Sequence, residues 1–202
     1  MRRILTRTIA ALCAVGFAGC APKTAPPPAP VVTSDVQETP GKVSAQQATT
    51  VTATVKDIDQ QSRVVTLLTA SGEDVVFRAG PEVRNLAQVK RGDQVQATYY
   101  ESLVIQVLKP GTAQPGITTV TGADRAEVGE QPGAAAAQST TAVVTVVKVD
   151  KKNATVTLKG PRGNVKTLPV RNPIHLDAMK AGDLIQVSYT EALGVAVTPV
   201  AK

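Results

Sequence analysis

Beyond residue 20 this 202-residue chain contains no cysteine, since Cys13 and Cys20 both lie close to the N-terminus. A chain without downstream thiols closes no disulfide, runs no thiol redox chemistry and offers no thiolate to a metal. It has one histidine, His175, no tryptophan, and an aromatic content of only 2%. One imidazole and no free thiol leave almost no material for the usual nucleophile–base pair. No phosphate-cradling glycine loop and no spaced set of metal ligands is present. The expectation is therefore a protein that is not an enzyme, with no metal and no cofactor. Barrels that hold single-stranded nucleic acid stack bases on aromatic side chains. After residue 20 only Phe77, Tyr99, Tyr100 and Tyr189 could serve, so nucleic acid is not expected either. Long apolar runs are also missing. The stretch Thr8–Phe17 has 10 residues, too few to cross a hydrocarbon core of about 30 Å as a helix.

What is present begins with an address. Arg2, Arg3 and Arg7 precede that short apolar run, and the small residues Ala18 and Gly19 follow it. This is the layout of a secretory signal over residues 1–19. The ending FAGC resembles a bacterial lipobox, with Phe17 where leucine is usual, and the resemblance implies cleavage before a diacylated Cys20. Ala21, by resemblance to the enteric sorting rule, leans towards the outer membrane. The expected location is the cell envelope, at the periplasmic face of the outer membrane. Several acyl chains on one residue hold far more firmly than one. Residues 20–47, rich in Pro, Ala, Thr and Gln, read as the lipid anchor and a flexible tether.

The rest is a duplication. Lys90–Leu103 reads KRGDQVQATYYESL and Lys180–Leu193 reads KAGDLIQVSYTEAL, with half of the positions identical. A first unit is assigned to residues 48–110 and a second to 140–200. Residues 111–139, dominated by Gly, Pro and Ala, form a linker with one possible short strand. The offset between units is 91 residues up to Val83/Ile174 and 90 afterwards.

Within each unit, alternating apolar and polar residues predict three short strands, a helical turn and one long strand. Val51, Ala53 and Val55 share one face, as do Val75 and Phe77. Leu86 with Val89, and Leu176 with Met179, mark the helical turns. Val95, Ala97 and Tyr99 match Ile185, Val187 and Tyr189 as a buried face. The expected class is all-β: two tandem small barrels, OB-like or SH3-like, each with its helical turn before the last long strand. A unit of about 60 residues buries only about 60% of its unfolded surface and is marginal alone, so the units should pack together. The stretches VTATVKDID, GPEVRN with KRGD, and GPRGNV with KAGD and YTEAL resemble a family of bacterial envelope proteins built from duplicated β-rich, barrel-like units. That resemblance implies an envelope location and brings no activity, ligand or catalytic residue.

Candidate chemistry is sparse. Glu101 and Glu191 hold the same place in both units, without a recurring partner for acid–base work. Asp93 and Asp183, each after a glycine, and the pair Asp59 and Asp150 read as turn-makers. His175 and Met179 would share a helical face as soft copper ligands, but no third ligand is near. By alignment His175 is expected to be exposed and Met179 to belong to the core. Charge is unequal. After residue 20 the chain carries 19 basic and 16 acidic residues, and nine basic against four acidic fall in residues 140–202. Lys148, Lys151, Lys152, Lys159, Arg162 and Lys166 are the candidate patch for a polyanion such as lipid A phosphate, anionic lipid or a cell-wall polymer. The leading expectation is a lipid-anchored, non-catalytic interaction or scaffold module with an envelope protein partner. Polyanion binding through the second unit is the first alternative, and an enzyme acting through Glu101 and Glu191, or a metal carrier, is the second.

Overall fold

A computed structural model describes residues 27–200 apart from residue 82. The signal segment and Cys20 lie outside the described residues. Among the described residues, no helix is long and apolar enough to cross a membrane. The strands are β1 (Val31–Thr39), β2 (Lys42–Asp59), β3 (Val64–Leu68), β4 (Asp74–Arg78), β5 (Gln94–Leu108), β6 (Gly116–Arg125), β7 (Gly133–Asp150), β8 (Thr155–Lys159), β9 (Val165–Pro169) and β10 (Leu184–Thr198). A 3-10 turn spans Leu86–Gln88, and α1 spans Ile174–Asp177. Both fall where an apolar pair is followed by a lysine and a glycine stop.

The fold class is all-β, and the strands form one open antiparallel sheet. Its order is β4-β3-β2-β5-β10-β7-β8-β9, with β1 also on β2 and β6 also on β7. The long strand does not turn back to close its own unit. Instead β5 and β10 pair with each other over their whole length, from Gln94↔Thr198 to Leu108↔Leu184. An edge that would otherwise carry unpaired N–H and C=O groups is thereby covered by the other unit's matching edge. Glu101 lies opposite Glu191, its own counterpart, so a local two-fold axis passes between them. The contact is isologous, as in a symmetric dimer.

Each unit ends in a lobe with its own core. In lobe 1 the buried Val55, Val65, Ala79, Leu86 and Val89 pack with Val95 and, from β10, Val197. In lobe 2 the buried Val146, Val156, Leu176 and Ile185 pack with Met179 and, from β5, Ile105. A register shift sits at equivalent places in the two units, between Val55 and Asp57 and between Val146 and Lys148. Such bulges bend the strand, here where the ribbons β3–β4 and β8–β9 leave the main sheet.

Several expectations are corrected. Residues 31–39 and 42–47, read as tether, are β1 and the start of β2; Thr, Ser, Gln and Ala fit a strand whose partners satisfy its backbone. The short strand allowed for in the linker is present as β6, whereas residues 133–139, read as linker, are the start of β7. Each unit thus begins with a hairpin that reaches over the other lobe. Glu38 of β1 accepts a hydrogen bond from Asn172 Nδ2 at 3.0 Å. The β6–β7 connection meets the 3-10 turn, where Asn85 Nδ2 and Gln88 Nε2 donate to the carbonyls of Glu127 (2.6 Å) and Gly129 (2.8 Å). Val75 and Phe77, expected to be inward, are both exposed, because β4 is the sheet's end strand and nothing described covers it fully, although Phe77 still borders the lobe 1 pocket beside Val65 and Ala79.

Candidate functional site

Strand register places partner residues on one face. Across the middle of the sheet one row reads Ser34–Gln47–Glu101–Glu191–Gln138–Thr121. It is nearly the same from either end, because Gln47 and Gln138 are also counterparts. The row on one side contains Val36, Ala45, Leu103 and Tyr189, and that on the other contains Val32, Thr49, Tyr99 and Leu193. Tyr99 and Tyr189 are each 38% exposed, and Leu103 and Leu193 are 37% and 48% exposed. The two tyrosines therefore keep the predicted parity but are not buried. The lobes cover only the ends of this face, so its centre is an open platform.

Two carboxylates facing each other across a strand pair repel. Tyrosine hydroxyls offset this. Tyr189 Oη lies 2.7 Å from Glu101 Oε1 and 3.1 Å from Glu191 Oε1, and Tyr99 Oη donates to Glu191 Oε1 at 3.1 Å. The hydrogen bond to Glu101, then loss of water, push the Tyr189 phenol well above its ordinary range. Tyr99 is raised first by loss of water and then by its bond to Glu191. The carboxylates thus accept from phenols, not from backbone amides. Among the described residues, the hydrogen bonds to the two carboxylates all come from these two phenols.

The opposite face of the central strands is built largely of Ser, Thr, Gln, Ala and Gly. Hydroxyl pairs link its strands: Thr50 with Thr98 at 3.0 Å, Ser139 with Thr190 at 2.9 Å and Thr141 with Ser188 at 3.0 Å.

The six basic residues do not meet in one place. Lys148, Lys151 and Lys152 lie near the β7–β8 turn, whereas Lys159, Arg162 and Lys166 lie near the β8–β9 hairpin. The five residues of β8 separate Lys151 and Lys152 from Lys159, Arg162 and Lys166, roughly 13 Å at the usual rise per residue, and Lys148 lies opposite Thr157 between them. Lys148 pairs with Asp150 and Lys151 with Asp177. Among the described residues, Lys152, Lys159, Arg162 and Lys166 form no ion pair.

The aspartates behave as turn-makers. Asp93 accepts the N–H of Lys90 at 2.9 Å, and Asp183 that of Lys180 at 3.0 Å. Asp59 accepts from Ser62 Oγ and from the N–H groups of Gln61 and Ser62, and these bonds hold its carboxyl below the ordinary value. Asp150 is lowered by the backbone and side-chain N–H groups of Asn153. His175 departs from expectation: its side chain is only 12% exposed, because the tip of β1 brings Glu38 Oε2 to 3.8 Å from Nε2. That nitrogen has no hydrogen-bond partner among the described residues. Met179 packs in the second core. No group of three or more His, Cys, Asp or Glu that could hold a metal occurs among the described residues.

Sequence reasoning missed Arg63, which clamps lobe 1. Its guanidinium donates to the carbonyls of Ala79 (3.0 Å), Gly80 (2.6 Å) and Val83 (2.9 Å). The available signal was its mismatch with Ala154 in the second unit. No known protein family, curated protein or solved structure matches the chain.

Proposed function

We propose that this protein is a non-catalytic binding module of the bacterial cell envelope, held at the periplasmic face of the outer membrane by acyl chains on Cys20. The observation that carries the reading is the open platform around Glu101 and Glu191. Paired tyrosines and leucines flank a polar stripe there, and they stay exposed at the centre of the sheet, between the two cores. Exposed apolar area bounded by polar groups is the usual mark of a partner surface. Each lobe is read as a small barrel-like unit that serves to hold this face open.

The test places a photoreactive phenylalanine derivative at Leu103 or Leu193 in cells making the full chain. The same envelope species should be captured from both positions and lost when Tyr99 and Tyr189 are changed to serine. Capture of nothing, or of different species from the two positions, overturns the reading.

A second reading has one observation behind it: Lys152, Lys159, Arg162 and Lys166 lack an acidic partner among the described residues. Anionic vesicles would then bind the full chain in a manner that weakens steeply with salt. Retention of that binding after all four are changed to glutamine removes this reading.

A further inference from the structure

The two lobes are copies in sequence order, yet they are not equally filled. Lobe 1 contains an apolar pocket of about 320 Å³, open to solvent on the side of Phe77 and Val195. Among the described residues its wall is aliphatic apart from Phe77, with no charged or hydroxyl-bearing side chain. At several aligned positions lobe 2 carries larger residues, although Leu168 stands where lobe 1 has Phe77. Where lobe 1 has Ala79, Val89 and Val95, lobe 2 has Val170, Met179 and Ile185. Where β10 gives Val195 to lobe 1, β5 gives Ile105 to lobe 2.

A protein interior normally leaves few voids larger than a water molecule, and an unfilled one costs stability in proportion to its volume. This one is held open by backbone contacts. Arg63 fixes the carbonyls of Ala79, Gly80 and Val83. Gln60 Nε2 donates to the carbonyl of Leu86 at 3.1 Å. Over the cavity, the carbonyl of Pro132 accepts the Val197 N–H at 3.0 Å. The wall is therefore built before any ligand arrives, as ligand pockets usually are.

One end of the cavity opens on polar ground. Ala134 and Val195 belong both to its wall and to a neighbouring cleft of about 620 Å³, which Arg84, Asp124, Arg125 and Glu127 also line. An apolar space continuous with a charged cleft fits a molecule with an apolar tail and a polar head. At ~30 Å³ for each water-sized unit, the cavity holds roughly ten methylene-sized units.

We propose that lobe 1 binds one alkyl chain of an amphiphile, with the head in the cleft beside Arg84 and Arg125. The apolar pocket lies outside the central platform, whereas the cleft adjoins it, since Leu193 lines both; probe binding in the pocket is read without reference to any partner of the platform.

The test uses the full chain with Cys20→Ser, so that no attached acyl group competes. The probe is 11-(dansylamino)undecanoic acid, whose emission rises in apolar surroundings. Wild-type residues in lobe 1 should give saturable binding at one probe per chain. Dodecanoic acid, as a free fatty acid, and a lauroyl lysophospholipid are the two competitors. Displacement by either supports the site, and the better competitor identifies the source of the chain. The triple variant Ala79→Val, Val89→Met, Val95→Ile carries lobe 2's own residues and should weaken binding by about tenfold or more. If its thermal melt shows that it does not fold, Ala134→Val, which copies Val43 of the first unit, is read by the same criterion. No saturable binding, or equal binding by the filled variant, overturns the proposal.

Discussion

Asp93 and Asp183 make the same turn, but only one of them is fully partnered. Asp93 Oδ1 accepts the N–H of Val200 at 3.4 Å. Asp183 is fully buried, and its Oδ1 has no partner among the described residues. With the offset of 90 residues, the position matching Val200 is Pro110, which has no N–H to give. Lys109 Nζ stands 3.5 Å from the other oxygen, Oδ2, and supplies charge without satisfying Oδ1. The perturbation that follows is Pro110→Val, which restores the donor using the other unit's own residue. A hydrogen bond to a charged group contributes about 1.5–3 kcal/mol. Returning freedom to the unfolded chain by removing a proline costs about 0.4–1 kcal/mol. The net expectation is a stabilisation of about 1–2 kcal/mol. The assay is urea unfolding of the full chain with Cys20→Ser. With a slope of about 2 kcal/mol per molar, the midpoint should rise by about 0.5–1 M without a change in slope. The same substitution made together with Asp183→Asn should give less than half of that gain. A fall in midpoint refutes the reasoning, and so does a rise that persists undiminished once Asp183→Asn has replaced the carboxylate with a neutral amide.

Three further outcomes can be checked on the same chain. The raised phenol values of Tyr99 and Tyr189 come partly from the carboxylates they touch, so Glu101→Gln with Glu191→Gln should move the ultraviolet tyrosine titration to lower pH. The sign for stability follows: these phenols stabilise the fold fully below their ordinary value near 10, and that contribution is lost as pH rises through the raised values. Gly41 has φ +75°, and a Cβ there would lie 3.1 Å from Ala178 Cβ. Gly41→Ala should therefore cost about 1–3 kcal/mol in unfolding experiments, more than Gly72→Ala, where φ is similar but the space is open. Arg63→Ala removes three hydrogen bonds to backbone carbonyls. It should lower stability by about 2–4 kcal/mol and weaken dansyl-undecanoate binding, because the cavity wall at Ala79 and Val83 is released.

The sequence made each unit's interior legible wherever one face had to leave water. Val55, Val65, Leu86 and Val89, with Val146, Val156 and Leu176, lie in the cores because period-two and single-turn spacing leaves them nowhere else to go. The glycine-aspartate turns were legible for a local reason, since an aspartate accepts N–H groups within a few residues of itself. What was hidden depends on partners distant in the chain. The residues VVTSDVQET and AAAAQSTT carry no strong apolar face, so they resemble tether and linker. Their strand state comes from backbone pairing with β2 and β6. The pairing of β5 with β10 was hidden for the same reason. Intra-unit alternation says which side faces a core, but not which strand lies alongside. One clue was available: 15 residues of unbroken strand exceed what a barrel of about 60 residues needs.

The two-fold axis separates what the fold requires from what it leaves free. On the platform face the positions nearest the axis agree between the halves: Glu101 with Glu191, Gln47 with Gln138, and Tyr99 with Tyr189, whereas on the opposite face Tyr100 corresponds to Thr190 and Ser102 to Ala192. A feature repeated by the axis is explained first by pairing geometry, and the exposure of its tyrosines and leucines is the part that geometry does not demand. Departures from the axis have no such explanation. Pairing does not require Ala79 against Val170, Val89 against Met179, or Arg63 against Ala154, because lobe 2 folds in the same order with the alternatives. The second unit also carries the excess positive charge without the fold calling for it. Selection on a function that only one half performs would leave its trace in such differences, and in lobe 1 they converge on a single space. Filling that space with the other half's residues alters the cavity while keeping side chains that this fold already accommodates, which makes it the sharpest perturbation available in this molecule.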